Sequence, residues 1–176
     1  MPNLTMMNSV RILLAAALTW FAGACAKNEL PSGIRTVSIA PAARQAPLVL
    51  APARATAFAR MAEERGSWAV NELRAAISRE LAASGRFQAA PSGSGDAQIA
   101  IESLRHGLIE VSANRYAVTV AGVVNLHRGS ENLGQRDFSG TSGDIRSLAE
   151  FEDPAVYEEA LRGTLSKVAL ELVAGL

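Results

Sequence analysis

The sequence predicts an α+β domain in which a small mixed or antiparallel sheet has two helices packed on one face. Two patterns predict this fold. Apolar residues alternate over 97–101 and 116–126, as in half-buried strands, and they recur at helical spacing over 70–81 and 157–172. The predicted chain order is therefore strand, helix, three-strand meander, helix.

The first strand is predicted over 35–40, where Val37 and Ile39 alternate with small polar residues. The chain after it contains Pro41, Pro47 and Pro52. Because proline lacks an amide donor and fixes φ, we expect an irregular crossover as far as residue 54.

A helical region is predicted over 56–84, with Gly66 marking a separate or kinked first segment. Gly85 can adopt the left-handed conformation that ends a helix, which leaves Phe87 free to fold back onto the last turn. One apolar stripe faces the core: Val70, Leu73, Ile77 and Leu81.

Three strands are predicted next. The first begins at Ala97 and continues irregularly to 111, a turn is expected at 112–114, and the strongest strand covers 116–126. The third, over 135–141, is polar apart from Phe138, which suits an exposed edge strand whose charges discourage pairing.

The final helix has a clear beginning. Asp153 can cap the first amides, and Pro154 suits the first helical position. The acidic residues around this start complement the helix dipole, so we expect a solvated role for them and no metal site. Gly163 lies inside the helix at a cost of about 1 kcal/mol relative to alanine, and we expect close packing against the sheet to be the reason.

The N-terminal segment is typical of a secretory signal. One basic residue, Arg11, precedes the apolar run 12–21, and three small residues then lead to Cys25, the one cysteine of the chain. A run of this length is too short for a membrane-spanning helix, which needs about 20 apolar residues. We therefore expect residues 1–24 to be removed between Ala24 and Cys25.

The segment Phe-Ala-Gly-Ala-Cys resembles the lipobox of bacterial lipoproteins, although Ala22 stands where leucine is commoner. The resemblance implies that Cys25 carries acyl chains, palmitate among them, and anchors the protein to a membrane. The alternatives are a secreted protein with a stray thiol and a coincidental core cysteine. Ala26 in place of aspartate implies the periplasmic side of the outer membrane.

The predicted organisation is a lipidated cysteine and tether over 25–35, followed by a single periplasmic domain over 36–176. The chain has 17 basic and 17 acidic residues, and its arginines are interleaved with acids. Nucleic acid is therefore not expected as a partner, because binding it needs a concentrated basic surface.

No reaction centre is predicted, and neither is a cofactor or a metal site. A hairpin at 112–114 would place His106 and His127 several residue pairs apart, too far to share a metal. The sequence has no His-Glu-x-x-His helix, no paired cysteine ligands and no Gly-x-Ser-x-Gly elbow. A glycan-acting enzyme would need two facing carboxylates, for which Glu102 and Glu110 are the candidates.

In this element order, three segments resemble small periplasmic lipoproteins of Gram-negative bacteria, and a fourth resembles a segment of the YajG-type family of these lipoproteins. They are Thr-Val-Ser-Ile-Ala-Pro, Leu-Ala-Ala-Ser-Gly-Arg-Phe, Asp-Ala-Gln-Ile-Ala-Ile and Asn-Arg-Tyr-Ala-Val-Thr-Val-Ala-Gly. The lipopolysaccharide-assembly lipoprotein and the penicillin-binding-protein activator lipoprotein share the broad layout. The resemblance implies location and fold, and it brings no catalytic residue.

The expected function is a lipid-anchored binding or assembly accessory of the cell envelope, with an envelope protein or lipid as partner and no catalysis. Arg115, Tyr116 and Arg136 are the candidate partner surface. The alternatives are a role in lipopolysaccharide assembly or in activating a cell-wall synthase and, in another class, a glycan-acting envelope enzyme.

Overall fold

The computed structural model describes residues 33–41, 47–53 and 55–176. The predicted signal peptide, its cleavage site at Ala24 and Cys25, and most of the predicted tether lie outside these residues. No helix in the described part is both long and apolar enough to cross a bilayer.

Ten elements make up the described domain. The strands are β1 (Thr36–Ile39), β2 (Leu48–Leu50), β3 (Gln88–Ala90), β4 (Ala97–Ser112), β5 (Arg115–Arg128) and β6 (Glu131–Arg146). The helices are α1 (Thr56–Glu64), α2 (Gly66–Ser84), α3 (Leu148–Phe151) and α4 (Pro154–Ala174).

The six strands form one open mixed sheet in the order β3-β1-β4-β5-β6, with β2 paired to β4. β1 runs parallel to β3 and β4, and β2 also runs parallel to β4. The predicted meander is present as β4, β5 and β6, which pair antiparallel. The α+β class with a mixed sheet is confirmed.

The predicted element order was incomplete. β2 lies in the stretch expected to be an irregular crossover, and β3 and α3 were not predicted. β2 and β3 have only three residues each, and both are held by parallel pairing with strands distant in sequence. Their own residues carry little strand signal, so the pairing partner decides their conformation.

The helical boundaries follow local signals. The predicted break falls at Arg65, between α1 and α2, and Gly85 ends α2 with a φ of 65°. Asp153 caps α4 by accepting a hydrogen bond from the amide of Ala155 at 2.9 Å. Ser147 and Glu150 form a reciprocal capping box at the start of α3.

One face of the sheet carries the apolar core. α2 and α4 pack against each other, and α4 also lies over β5 and β6. Two ion pairs support this arrangement: Arg65 contacts Glu158 at 2.7 Å, and Arg162 lies 3.5 Å from Glu72. The opposite face of the meander carries mostly small and polar residues.

Candidate functional site

The sheet has two ends, here called proximal and distal. At the proximal end, which contains Ile34, Asp96 and Arg128, the chain enters β1 beside the start of β4. The Asp96 carboxylate accepts hydrogen bonds from the amides of Arg35 and Thr36, both at 2.9 Å, and these bonds hold the pKa of Asp96 below its usual value. The distal end contains the β4–β5 turn and the end of β6.

An apolar row, here called the distal row, crosses the distal end on the helix-free face of the sheet, with one exposed isoleucine on either side of a buried alanine. Ile109 of β4 pairs with Ala117 of β5, which in turn pairs with Ile145 of β6. Ile109 is 39% exposed and Ile145 is 44% exposed. From Ala97 to Ile109, β4 rises about 40 Å, so this row lies far from the proximal end.

A bulge interrupts β6 near this row. Thr141 pairs with Thr119 and Ile145 pairs with Ala117, so β6 advances four residues where β5 advances two. Ser142 compensates for the interrupted ladder, because its Oγ accepts a hydrogen bond from the Val118 amide at 3.1 Å. The same hydroxyl donates to the carbonyl of Asp144 at 3.0 Å.

Beside the bulge, β6 and α4 separate into an open groove of about 310 Å³, here called the bulge groove. The two elements touch closely at Gly140, where an added Cβ would lie 2.7 Å from Cγ2 of Val168. They then diverge. The groove is lined by Thr141, Ser142, Gly143, Asp144, Glu159, Ala160, Gly163, Thr164 and Lys167.

Gly163 was expected to pack closely against the sheet, and that prediction was wrong. A Cβ added at Gly163 would meet no atom within 4 Å among the described residues, and the same holds for Gly143. Gly163 instead faces the bulge groove. The glycine that allows α4 to pack closely on the sheet is Gly140 of β6.

The groove has an acidic and a basic side chain at positions one helical turn either side of Gly163. Glu159 and Lys167 are both exposed, and no ion pair joins either to another described residue within 4.0 Å. Asp144, on the strand wall, pairs with Arg146 at 2.7 Å. The arrangement can receive a ligand that carries both charges.

The candidate partner residues Arg115, Tyr116 and Arg136 do not form one surface. Arg115 is exposed at the distal end and donates a hydrogen bond to the carbonyl of Ile145 at 2.8 Å. Tyr116 is only 9% exposed because it lies on the helix-covered face. Arg136 pairs with Val124, eight residues along β5 from Tyr116 or about 26 Å, and its guanidinium lies beside Gly175. Only Arg115 belongs to the distal surface.

A buried histidine was missed by sequence reasoning. His106 is fully buried, and its Nδ1 lies 2.7 Å from the hydroxyl of Tyr157. Desolvation lowers the pKa of His106 to about 4. The irregularity between Ile101 and Ser103 turns His106 toward the core, and alternation counted from Ala97 would place it on the other face.

The residues named for the enzyme alternative lie far apart in the described structure. Glu102 and Glu110 are eight residues apart on β4, or about 26 Å, whereas glycosidase carboxylates lie about 5 to 9.5 Å apart. His106 pairs with Val120 and His127 with Gln98, as the predicted hairpin required, so the imidazoles lie about seven residue pairs apart.

The fold defines a class of small α+β domains with an open mixed sheet and helices on one face. A minor lipoprotein from Acinetobacter baumannii has this fold, with a TM-score of 0.51 and 10% identity over 80% of this chain and 89% of that chain. A DUF330-family protein from Xanthomonas campestris is 18% identical over 80% of this chain and 81% of that chain, with a TM-score of 0.49.

No protein-family model and no curated protein matches the chain. The YajG-type resemblance is therefore not confirmed. At these identities the structural likeness shows the fold, which this domain shares with a bacterial lipoprotein.

Proposed function

We propose that this protein is a lipid-anchored accessory of the bacterial cell envelope, which binds an envelope protein through its distal end and performs no catalysis. The observation that carries the proposal is the position of the distal row, in which the exposed Ile109 and Ile145 flank the buried Ala117, about 40 Å from the end where the chain enters the domain. The lipobox-like segment ending at Cys25 supplies the anchor.

The geometry gives the anchored domain an orientation. Residues 26–32 link Cys25 to the first described residue and span at most about 25 Å when extended. With Cys25 acylated, the proximal end therefore lies near the bilayer, and the distal end can face the periplasm. Ala26 supports the periplasmic side of the outer membrane as the location.

The chemistry of the distal end favours a protein partner over a lipid. The distal row is flanked by Arg115, and protein interfaces combine an apolar centre with a polar rim and are enriched in arginine relative to the rest of the surface. A lipid-binding surface would be expected beside the bilayer, at the proximal end. The A. baumannii protein that shares this fold is a lipoprotein, which supports a lipid anchor for this chain.

The anchor is tested by labelling cells with a palmitate analogue and comparing the wild type with Cys25→Ser. We expect the label only in the wild type, and we expect that protein in the outer-membrane fraction. Label on Cys25→Ser, or unlabelled wild type with its leader intact, would contradict the proposal.

The distal surface is tested by placing a photo-crosslinking residue at Ile109 or Ile145 in the full chain. Leu170, which is 55% exposed on α4, is the matched control position. We expect one shared protein adduct from positions 109 and 145 and none from 170. Equal adducts from all three positions would exclude the distal row as the specific contact.

A further inference from the structure

We propose that the bulge groove binds a short extended segment of a partner protein, with a small residue against Gly163 and oppositely charged side chains toward Glu159 and Lys167. The proposal rests on the proposed function, from which it takes an envelope protein as the partner. The site itself does not depend on the lipid at Cys25.

Two glycines in the groove are not required by the packing or the backbone conformation of the described residues. Glycine inside a helix destabilises it relative to alanine, so a helix-interior glycine needs a reason. Neither Gly143 nor Gly163 has a positive φ, and an added Cβ at either would meet open space among the described residues. The remaining reason for glycine at these positions is that it lets another backbone approach closely.

The charges match the spacing of an extended peptide. Glu159, Gly163 and Lys167 follow one another at four-residue intervals, which places the two charged positions about 12 Å apart along α4. In an extended peptide, residues i, i+2 and i+4 point to one side and span about 13 Å. A basic, a small and an acidic residue at these three peptide positions would lie against Glu159, Gly163 and Lys167, respectively.

The strand wall offers backbone hydrogen bonds to such a segment. The carbonyl of Gly140 accepts a hydrogen bond from Thr119 Oγ1, so it faces β5. Backbone groups alternate in direction along a strand, which turns those of Thr141 away from β5. Among the described residues, β6 pairs with β5 alone, so its outer edge can accept an added strand.

The stretch of this edge beside the groove lacks the charges that elsewhere on β6 discourage pairing. Residues 138–143 are uncharged, and Asp137 and Asp144 flank them. A second copy of β6 paired antiparallel over this stretch would bring Asp137 of one chain near Asp144 of the other, and like charges across strands are destabilising. A segment of a different protein has no such conflict.

The experiment uses the full chain purified from membranes in detergent and two fluorescent peptides, acetyl-Lys-Val-Gly-Val-Glu-amide and acetyl-Lys-Val-Gly-Val-Lys-amide. We expect the mixed-charge peptide to bind about three- to fivefold more tightly, as one added surface ion pair allows. Lys167→Glu should reverse this preference. Gly163→Phe, which fills the groove, should weaken binding at least tenfold, whereas Leu170→Phe on the exposed side of α4 should not.

Several results would overturn the proposal. These are undetectable binding of either peptide at millimolar concentration, unchanged binding by Gly163→Phe, and an unchanged preference in Lys167→Glu. Self-association that Gly163→Phe abolishes would make a second copy the occupant and would also overturn it. Cys25→Ser separates this proposal from the anchor, since loss of the lipid should leave peptide binding unchanged.

Discussion

The Tyr157 hydroxyl and Nδ1 of His106 lie 2.7 Å apart in the core and join helix α4 to strand β4. Both side chains are fully buried, and Phe58 packs edge-on against the Tyr157 ring at 5.1 Å. Nε2 of His106 has no hydrogen-bond partner among the described residues. A charged imidazole here would be desolvated without a counter-charge from the described residues, so this pair makes the fold sensitive to pH.

We expect the free energy of unfolding to fall by about 2 kcal/mol between pH 7.5 and 5. Burial lowers the pKa of His106 from 6.5 to about 4, so in this range the unfolded chain binds a proton that the folded chain excludes. This stabilisation is fully present at pH values above the pKa of His106 in the unfolded chain. It is lost as the pH falls toward the pKa of His106 in the folded chain. Urea unfolding at several pH values measures how the free energy of unfolding changes with pH.

The matched control for this pH dependence is a double variant, His106→Leu with Tyr157→Phe, which removes the titrating group and leaves no buried hydroxyl unpaired. Its stability should stay nearly constant over the same range. Asp96 and Glu150 have lowered pKa values, so their contributions are lost only at more acidic pH. An unchanged slope in the double variant would assign the pH dependence to another group.

Gly107→Ala should destabilise the domain by about 3 kcal/mol, through displacement of β2. Gly107 has a φ of 152°, and a Cβ there would lie 1.8 Å from the carbonyl oxygen of Leu50. That contact is with backbone, so no side-chain rotation relieves it. Urea unfolding measures the loss, and faster hydrogen exchange over Leu48–Leu50 would identify the strand that moves.

Gly143→Ala is the control for this variant. Its added methyl group meets nothing within 4 Å among the described residues, so its stability should lie within about 0.5 kcal/mol of the wild type. Similar losses from both variants would mean that strand glycine in general, and not the contact with Leu50, causes the effect.

Elements that carry their own local signals were predictable from the sequence. The Asp153-Pro154 start of α4, the left-handed Gly85 after α2 and the alternation in β5 each depend on residues within a few positions. β2 and β3 depend instead on pairing with strands more than 45 residues away in sequence. Their short sequences carry no comparable signal.

The candidate site was less predictable because it depends on irregularities. The shift between Ile101 and Ser103 decides which residues of β4 face the core, and the bulge in β6 lies beside the groove between that strand and α4. Neither has a distinctive sequence. Gly163 could be recognised in the sequence as an unusual helix residue. Whether it packs against the sheet or faces a groove depends on where β6 diverges from α4.

Ser142→Ala should destabilise the domain by about 1 to 2 kcal/mol. It removes the hydroxyl that accepts the amide hydrogen bond of Val118, a fully buried residue, and a buried unpaired amide is costly. Ser142→Thr keeps a hydroxyl and should recover most of the loss. Ser139→Ala, on the exposed part of β6, is the control, and thermal unfolding of all four proteins gives the comparison.

Gly163→Ala should stabilise the domain by about 0.5 to 1 kcal/mol. Alanine restricts the unfolded chain and favours the helix, and its methyl group would project into the bulge groove without contacting a described residue. Gly140→Ala is the matched opposite case, because its Cβ would lie 2.7 Å from Val168 and should cost stability. In chemical unfolding, the midpoint denaturant concentration should therefore rise in Gly163→Ala and fall in Gly140→Ala. A loss of stability in Gly163→Ala would mean that the groove is closed in solution, and Gly163 would then be a packing residue after all.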